Sequence, residues 1–253
     1  MLASLKIKLL PIFCIGIFFM LPTAQGMSAV IAYDNVTTVG TPVFLKVLTK
    51  GVIFADGGRL VEFFLDEKSL GKNLTGGDGY GYRKHTPKRP GLLQLNVRSK
   101  GESGSGWLLV VKKREKVIFI EIESGFKDAF ISEIAAGASR RAVKRMMEKY
   151  RIVYLSRYTG VRAARDLLDE GEFPEAPVLR WKGAKMLSAL KERGIQLYGI
   201  IGSAGLIAES AEHIKKRYTF EKTQDGQTVK DWEEIIELLK KKPPEKSAKN
   251  KKK

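Results

Sequence analysis

Four short stretches carry residue types that could do chemistry together. Glu121 and Glu123 follow an apolar run at 117–120, and Ser156 and Arg157 follow another at 152–155. Gly202 and Ser203 follow a third strand-like run at 196–201, and Lys185 opens a segment rich in Leu and Ala. Two carboxylates two positions apart can supply a nucleophile and a general acid, if each reaches its partner atom within hydrogen-bond distance. A serine hydroxyl and a lysine near a helix N-terminus can hold a phosphate or a carboxylate. Each group also has a plainer reading. Glu121 and Glu123 could be a solvated strand exit, Lys185 a surface lysine, and Arg157 the structural partner of either glutamate.

The elements that must position these residues begin near residue 116, where strands and helices alternate. Apolar runs at 117–120, 152–155, 177–179, 196–201 and 218–220 read as strands. Helices are expected at 139–150, at 159–170 with Thr159 as its cap, at 183–192 ended by Gly194, and at 204–217. A last amphipathic helix over 231–242 places Trp232, Ile235, Ile236 and Leu239 on one face. Repeated β-α units imply a Rossmann-like α/β domain, a parallel sheet covered on both faces. In such a sheet ligands bind outside the carboxyl ends of the strands, and Glu121, Ser156 and Ser203 all stand there.

Residues 29–112 read differently. Short strands at 29–33, 42–48, 59–65, 92–97 and 107–111 are separated by turn residues such as Gly57-Gly58 and Pro90-Gly91. That pattern predicts a β-sandwich. The glycine-rich stretch at 71–82 reads as a hairpin with positive-φ positions. It is not a phosphate cradle, because it lacks Gly-Lys-Ser/Thr entering a helix and Asp78 would repel a phosphate.

Composition bounds the function. Residues 1–26 have Lys6 and Lys8, an apolar run at 9–21 and small residues before a cut after Gly26. These features predict a cleaved signal peptide and a secreted or periplasmic protein. Cys14 is the one cysteine of the chain, so the mature protein is expected to have neither disulfides nor thiol chemistry. His85 and His213, the two histidines, lack metal-ligand spacing. Residues 240–253 hold eight lysines and one glutamate, and Lys6 and Lys8 add two charges, so +8 of the net +17 remains on the body. Residues 241–253 are expected to be a disordered Lys-rich tail. Such a tail is either a solubility device or a contact for an anionic membrane surface. Nucleic acid is set aside as a partner. The expected divisions are therefore 1–26, a sandwich over 27–113, an α/β domain over 114–240, and the tail.

Two resemblances follow from quoted residues. Residues 40–45, the stretch 65–82 and the strand at 86–99, with Thr75, Asp78, Gly79, Pro90 and Gly91, resemble a bacterial immunoglobulin-like domain. Residues 113–240 resemble the haloacid dehalogenase-like phosphatases. The segment 152–177, with Phe173, Pro174 and Pro177, looks most like their lipin and phosphatidate-phosphatase branch. The resemblance implies a nucleophile at Glu121, a general acid at Glu123, anion-binding by Ser156 and Lys185, and a magnesium-binding acid at Ser203. The first two are lengthened from Asp to Glu. The position of the magnesium-binding acid is Ser203, so no metal ligand is expected there. A misplacement near 1 Å can cost about 100-fold. The expectation is a secreted binding protein with a degenerate, inactive phosphatase-like domain, no cofactor, and a protein partner or an anionic ligand. The alternatives are a Mg²⁺-dependent phosphatase acting on phosphomonoesters or lipid phosphates, and a structural envelope protein.

Overall fold

The computed structural model describes residues 29–51 and 54–241. The expected signal peptide and all but the first residue of the expected tail lie outside them. The chain begins with β1 (Ala29–Ala32), β2 (Asn35–Thr38), β3 (Val43–Lys50), β4 (Leu60–Leu65), β5 (Lys68–Leu74), β6 (Tyr80–His85), β7 (Gly91–Ser99) and β8 (Glu102–Val111). They form a three-stranded sheet, β1-β3-β6, facing a five-stranded sheet, β2-β8-β7-β4-β5. Alternate residues point inward, as in β3, where Val43, Leu45 and Val47 are buried and Phe44 is exposed. The inner faces meet over one apolar cluster that includes Val61, Phe63, Leu95, Val97 and Leu108. This is an immunoglobulin-like sandwich.

Two details depart from the expected strand pairing. The stretch 71–82 is not a hairpin, because β5 and β6 lie at the edges of different sheets. Residues 75–79 carry the chain across, with Gly79 at φ +76°, where a Cβ would come within 2.6 Å of the Thr49 carbonyl oxygen. The actual hairpin joins β4 to β5 through Asp66 and Glu67, both at positive φ, as the tightest hairpin turns require. In addition, β2 pairs in parallel with β8, a strand the alternation of residues 35–38 does not announce.

After a tight turn in which Glu115 accepts from the Lys112 N–H at 2.8 Å, the second half begins. It comprises β9 (Lys116–Glu121), α1 (Ile122–Gly125), α2 (Glu133–Met147), β10 (Arg151–Ser156), α3 (Val161–Glu170), β11 (Val178–Arg180), α4 (Lys185–Glu192), β12 (Gln196–Ile201), α5 (Ala204–Glu209), β13 (Lys216–Thr219), β14 (Gln227–Thr228) and α6 (Trp232–Lys240). The sheet runs β11-β10-β9-β12-β13-β14 and every pairing in it is parallel. Buried side chains of α2, α3 and α6 cover one face; those of α4 and α5 cover the other. The continuous apolar runs of β9 and β10 follow from burial on both faces.

Three helix boundaries differ from expectation. α2 starts at Glu133, where Ser132 caps it by accepting the Ala135 N–H. α3 is preceded by Gly160 at φ +86°, and Thr159 is not its cap. α5 ends at Glu209 because the buried Ser210 hydroxyl donates to the Ile207 carbonyl and the chain turns toward β13.

The two halves share a core. Val36, Leu109 and Val111 of the sandwich belong to the same apolar cluster as Val117, Phe119, Leu190 and Ile195. Asp34, between β1 and β2, stitches the halves with polar bonds. Its carboxylate accepts from the backbone N–H groups of Trp107 and Val178, each at 2.6 Å, and from the Arg165 guanidinium at 2.6 and 3.2 Å. Arg165 also donates to the Ala32 and Ser105 carbonyls. Removing one member of a buried ion pair costs about 3–5 kcal/mol, so Asp34 is a strong determinant of how the halves sit.

Candidate functional site

The strand order reverses between β9 and β12, since successive strands run outward from β9 in one direction and then from β12 in the other. Open parallel sheets bind ligands at such a point, outside the carboxyl ends. Glu121 ends β9, Glu123 lies in α1, Ser156 ends β10, and Ser203 follows β12. The fold thus gathers four of the five residues singled out above at one rim. What they do there is mostly to bind one another.

Glu123 sits in a ring of donors. Its Oε1 accepts from the Ser156 hydroxyl at 3.0 Å and from the N–H groups of Arg157, Tyr158 and Thr159 at 2.9, 2.9 and 3.0 Å. The loop after β10 is an anion cradle, and the chain fills it with its own carboxylate. Burial works to raise this carboxyl. The N–H groups of Thr159 and Tyr158 and the Ser156 hydroxyl outweigh it and hold the group below its ordinary value. Ser156 is fully buried, and its hydroxyl also accepts the Gly160 N–H at 3.1 Å. No oxygen lone pair or proton of that hydroxyl is presented to solvent.

Glu121 is only 1% exposed, which sets aside the solvated strand exit. Its Oε2 accepts the Ser203 N–H at 2.5 Å. Burial pushes its carboxyl up, against the opposing effect of the Ser203 N–H. Gly202 makes this approach possible, because a Cβ there would lie 2.7 Å from Glu121 Oε2. Ser203 caps α5 through the Leu206 N–H at 3.4 Å, and the next N–H, that of Ala204, goes to Glu221.

Magnesium is the ion that the phosphatase resemblance implies. Glu121 Oε1 and Glu123 Oε2 are buried without partners, two oxygens of the right hardness. No third acid joins them, since no group of three or more His, Cys, Asp or Glu side chains able to hold a metal occurs among the described residues. A Mg²⁺ ion demands octahedral oxygen coordination with several waters. Two lone oxygens, one on a side chain almost without solvent access, do not meet that need.

Arg157 pairs with neither glutamate of the first motif through its side chain. Its guanidinium meets Glu209 Oε1 at 2.5 Å, and Glu209 Oε2 accepts the Trp181 indole N–H at 2.8 Å. Lys185 opens α4 as expected but is exposed and makes no ion pair among the described residues. It is not joined to Ser156 by any hydrogen bond. Sequence reasoning missed Asp34 and Glu221, which act on residues far away along the chain and carry no local spacing signal.

A second feature lies nearby. A cleft of about 900 Å³ opens between the outer face of the three-stranded sheet and the β11 edge of the parallel sheet, where α3 and α4 flank it. It reaches Thr159 and Gly160, the far end of the Glu123 cradle.

No protein-family model and no curated protein matches the chain. Among solved structures, it is similar to the CARDB domain of a Pyrococcus furiosus protein, at 12% identity over 34% of this chain and 98% of that one, with a TM-score of 0.25. It is also similar to the D00-D0 domain of intimin, at 13% identity over 35% of this chain and 51% of that one, TM-score 0.28. The M1 domain from titin gives 14% identity over 35% and 97%, TM-score 0.27. No helix among the described residues is long and apolar enough to cross a membrane.

Proposed function

We propose that this chain is a secreted or periplasmic binding protein whose Rossmann-like half resembles a haloacid dehalogenase-like phosphatase in layout but performs no turnover. The observation that carries the reading is the carboxylate of Glu123 lying inside the donor cradle at the carboxyl end of the sheet, held by four donors. A substrate anion would have to displace a covalently tethered one. Glu121 is the other would-be reactive group, and its burial favours the neutral form, a poor nucleophile. The strand order, that of a doubly wound nucleotide-type sheet, supports the layout.

The test is an assay of the full chain with Mg²⁺ on a phosphomonoester and on phosphatidic acid vesicles. The expected result is no turnover. Calorimetry should detect Mg²⁺ binding only after Glu121→Asp, Glu123→Asp and Ser203→Asp are combined. Turnover by the unmodified protein that disappears in Glu121→Gln overturns the reading in favour of a phosphatase.

A further inference from the structure

The cleft between the two halves has two unlike walls. On the sandwich side, alternate residues of β3 and β6 turn outward: Phe44 is 61% and Tyr82 45% exposed, beside the half-buried Tyr33 and Tyr80. The three tyrosine rings form a connected surface, with Tyr33 and Tyr80 centroids 6.3 Å apart and Tyr80 and Tyr82 centroids 6.4 Å apart, and Phe44 lines the same cleft. Four aromatic side chains stand on the outer face of a sheet, across from a wall whose apolar members include Val161, Leu179 and Met186. The rings lie over the cleft instead of the core.

The opposite wall is cationic. Arg162, Arg180, Lys182 and Arg193 line it, all exposed. None forms an ion pair with a described residue. A fifth cation, Lys46, rests its ammonium 3.8 Å from the Tyr80 ring centroid and 4.9 Å from that of Tyr33. Against these stand two carboxylates, the exposed Asp166 and Asp34, which Arg165 already neutralises. Cations gathered in a concave site with a low-dielectric wall focus a positive field on whatever enters. The volume lies within the range of small-molecule sites, which combine an apolar lining with a few convergent polar groups.

From these walls we infer that the cleft binds a small anion carrying a ring, the ring lying on the Phe44–Tyr82 surface and the charged group reaching Arg180 and Lys182. The inference deepens the binding reading above and rests on it. Neither wall alone specifies such a ligand. A bare anion leaves the aromatic surface wet, and a neutral ring leaves the cations without a counter-charge. The charged group can be a phosphate, and the ring can be aromatic or a sugar, since the flat faces of both stack on aromatic side chains.

The experiment is calorimetry on the full chain with four probes: 1-naphthyl phosphate, glucose 1-phosphate, inorganic phosphate and 1-naphthol. Either ring phosphate should bind at least tenfold tighter than inorganic phosphate and 1-naphthol, and which one does so identifies the ring. Tyr82→Ala and the double variant Arg180→Ala/Lys182→Ala should each weaken that binding at least fivefold. The double variant Lys127→Ala/Lys144→Ala, which removes two positive charges away from the cleft, should leave it unchanged. Equal binding of inorganic phosphate, equal weakening by the distant variant, or no binding at millimolar probe overturns the inference. Cleavage of a probe sinks the non-catalytic reading alone, and the cleft is then judged by whether Tyr82→Ala raises KM.

Discussion

Between its two sheets the sandwich buries Val43, Leu45, Val61, Phe63, Leu95 and Val97, drawn from alternate positions of its strands. The parallel sheet also buries apolar residues, on both faces, but at its carboxyl end it buries Glu121, Ser156 and most of Glu123 as well. The sandwich buries one guanidinium, that of Arg59, and flanks it with Asp56 and Glu102. Each half leaves two buried atoms without hydrogen-bond partners, Arg59 Nε and Glu102 Oε2 in the sandwich and the carboxylate oxygens Glu121 Oε1 and Glu123 Oε2 at the rim. The difference lies in the charges: the sandwich sets a buried cation between two carboxylates, whereas the rim buries two like-charged side chains and holds them with backbone N–H groups and a hydroxyl. Like-charged groups buried close together are an arrangement that functional sites use.

The largest effects should show whether the distinction is energetic. Phe63→Ala deletes a ring from the sandwich core and should cost about 3–5 kcal/mol. Because that cluster is made of apolar side chains, the loss should be the same at pH 5 and pH 8. Asp34→Ala should cost a similar about 3–5 kcal/mol, yet by another route. It strands the N–H groups of Trp107 and Val178 and the Arg165 guanidinium between the halves. Chemical denaturation should then show one cooperative transition for Phe63→Ala and a split transition for Asp34→Ala. A single transition in both would mean that the shared apolar cluster of Val36, Leu109 and Val111, not the ion pair, unites the halves.

Next in size is Glu123. Glu123→Ala leaves three backbone N–H groups and a hydroxyl without their acceptor and should cost about 3 kcal/mol. Glu123→Gln keeps an oxygen in the cradle and loses only the charge, so it should cost roughly 1 kcal/mol. The folded-state value of Glu123 is lowered from an ordinary value near 4.5. Its contribution is therefore present above pH 4.5 and lost as the pH falls through the lowered value. Glu123→Gln should flatten that acid limb. If Glu123→Gln costs as much as Glu123→Ala, the cradle discriminates charge and not shape, and a free anion would compete for it better than proposed.

The same comparison explains what the sequence could disclose. The strands of both halves were legible because burial imposes a period, alternation in β3 and continuous apolar runs in β9 and β10. The placement of Glu121, Ser156 and Ser203 at one rim followed from that, since parallel strands end on one side. The cradle was not legible. It is built from the N–H groups of residues 157–159, which any side chains could have supplied, and Thr159 read as a helix cap while its N–H serves Glu123. α5 was overextended because Leu206, Ile207 and Ile214 keep a helical spacing. It is the buried Ser210, a polar residue without local pattern, that ends the helix. The cleft was hidden for a further reason. Its walls come from β3 and β6 on one side and from α3, α4 and β11 on the other, and only the docking of the halves, through Asp34 and the shared apolar cluster, brings them face to face.

The smallest effect has the opposite sign and is the sharpest test of the rim. Burial raises Glu121 in the folded protein above its ordinary value near 4.5. Such a group contributes stability that is fully present below pH 4.5 and is lost as the pH rises through the raised value, because the folded state binds the proton more tightly. Glu121→Gln fixes the neutral form and keeps an oxygen for the Ser203 N–H. It should leave stability near pH 4 unchanged within about 0.5 kcal/mol, and at pH 7 it should be neutral or stabilising. Thermal melts of both proteins from pH 4 to pH 8 read this directly, with Glu123→Gln as the companion of opposite slope. A Glu121→Gln protein that is less stable than the parent at pH 7 but equal to it at pH 4 would show that the folded protein favours the ionised carboxylate. Its unpartnered oxygen would then be facing a positive charge, and the rim would be a working cation site.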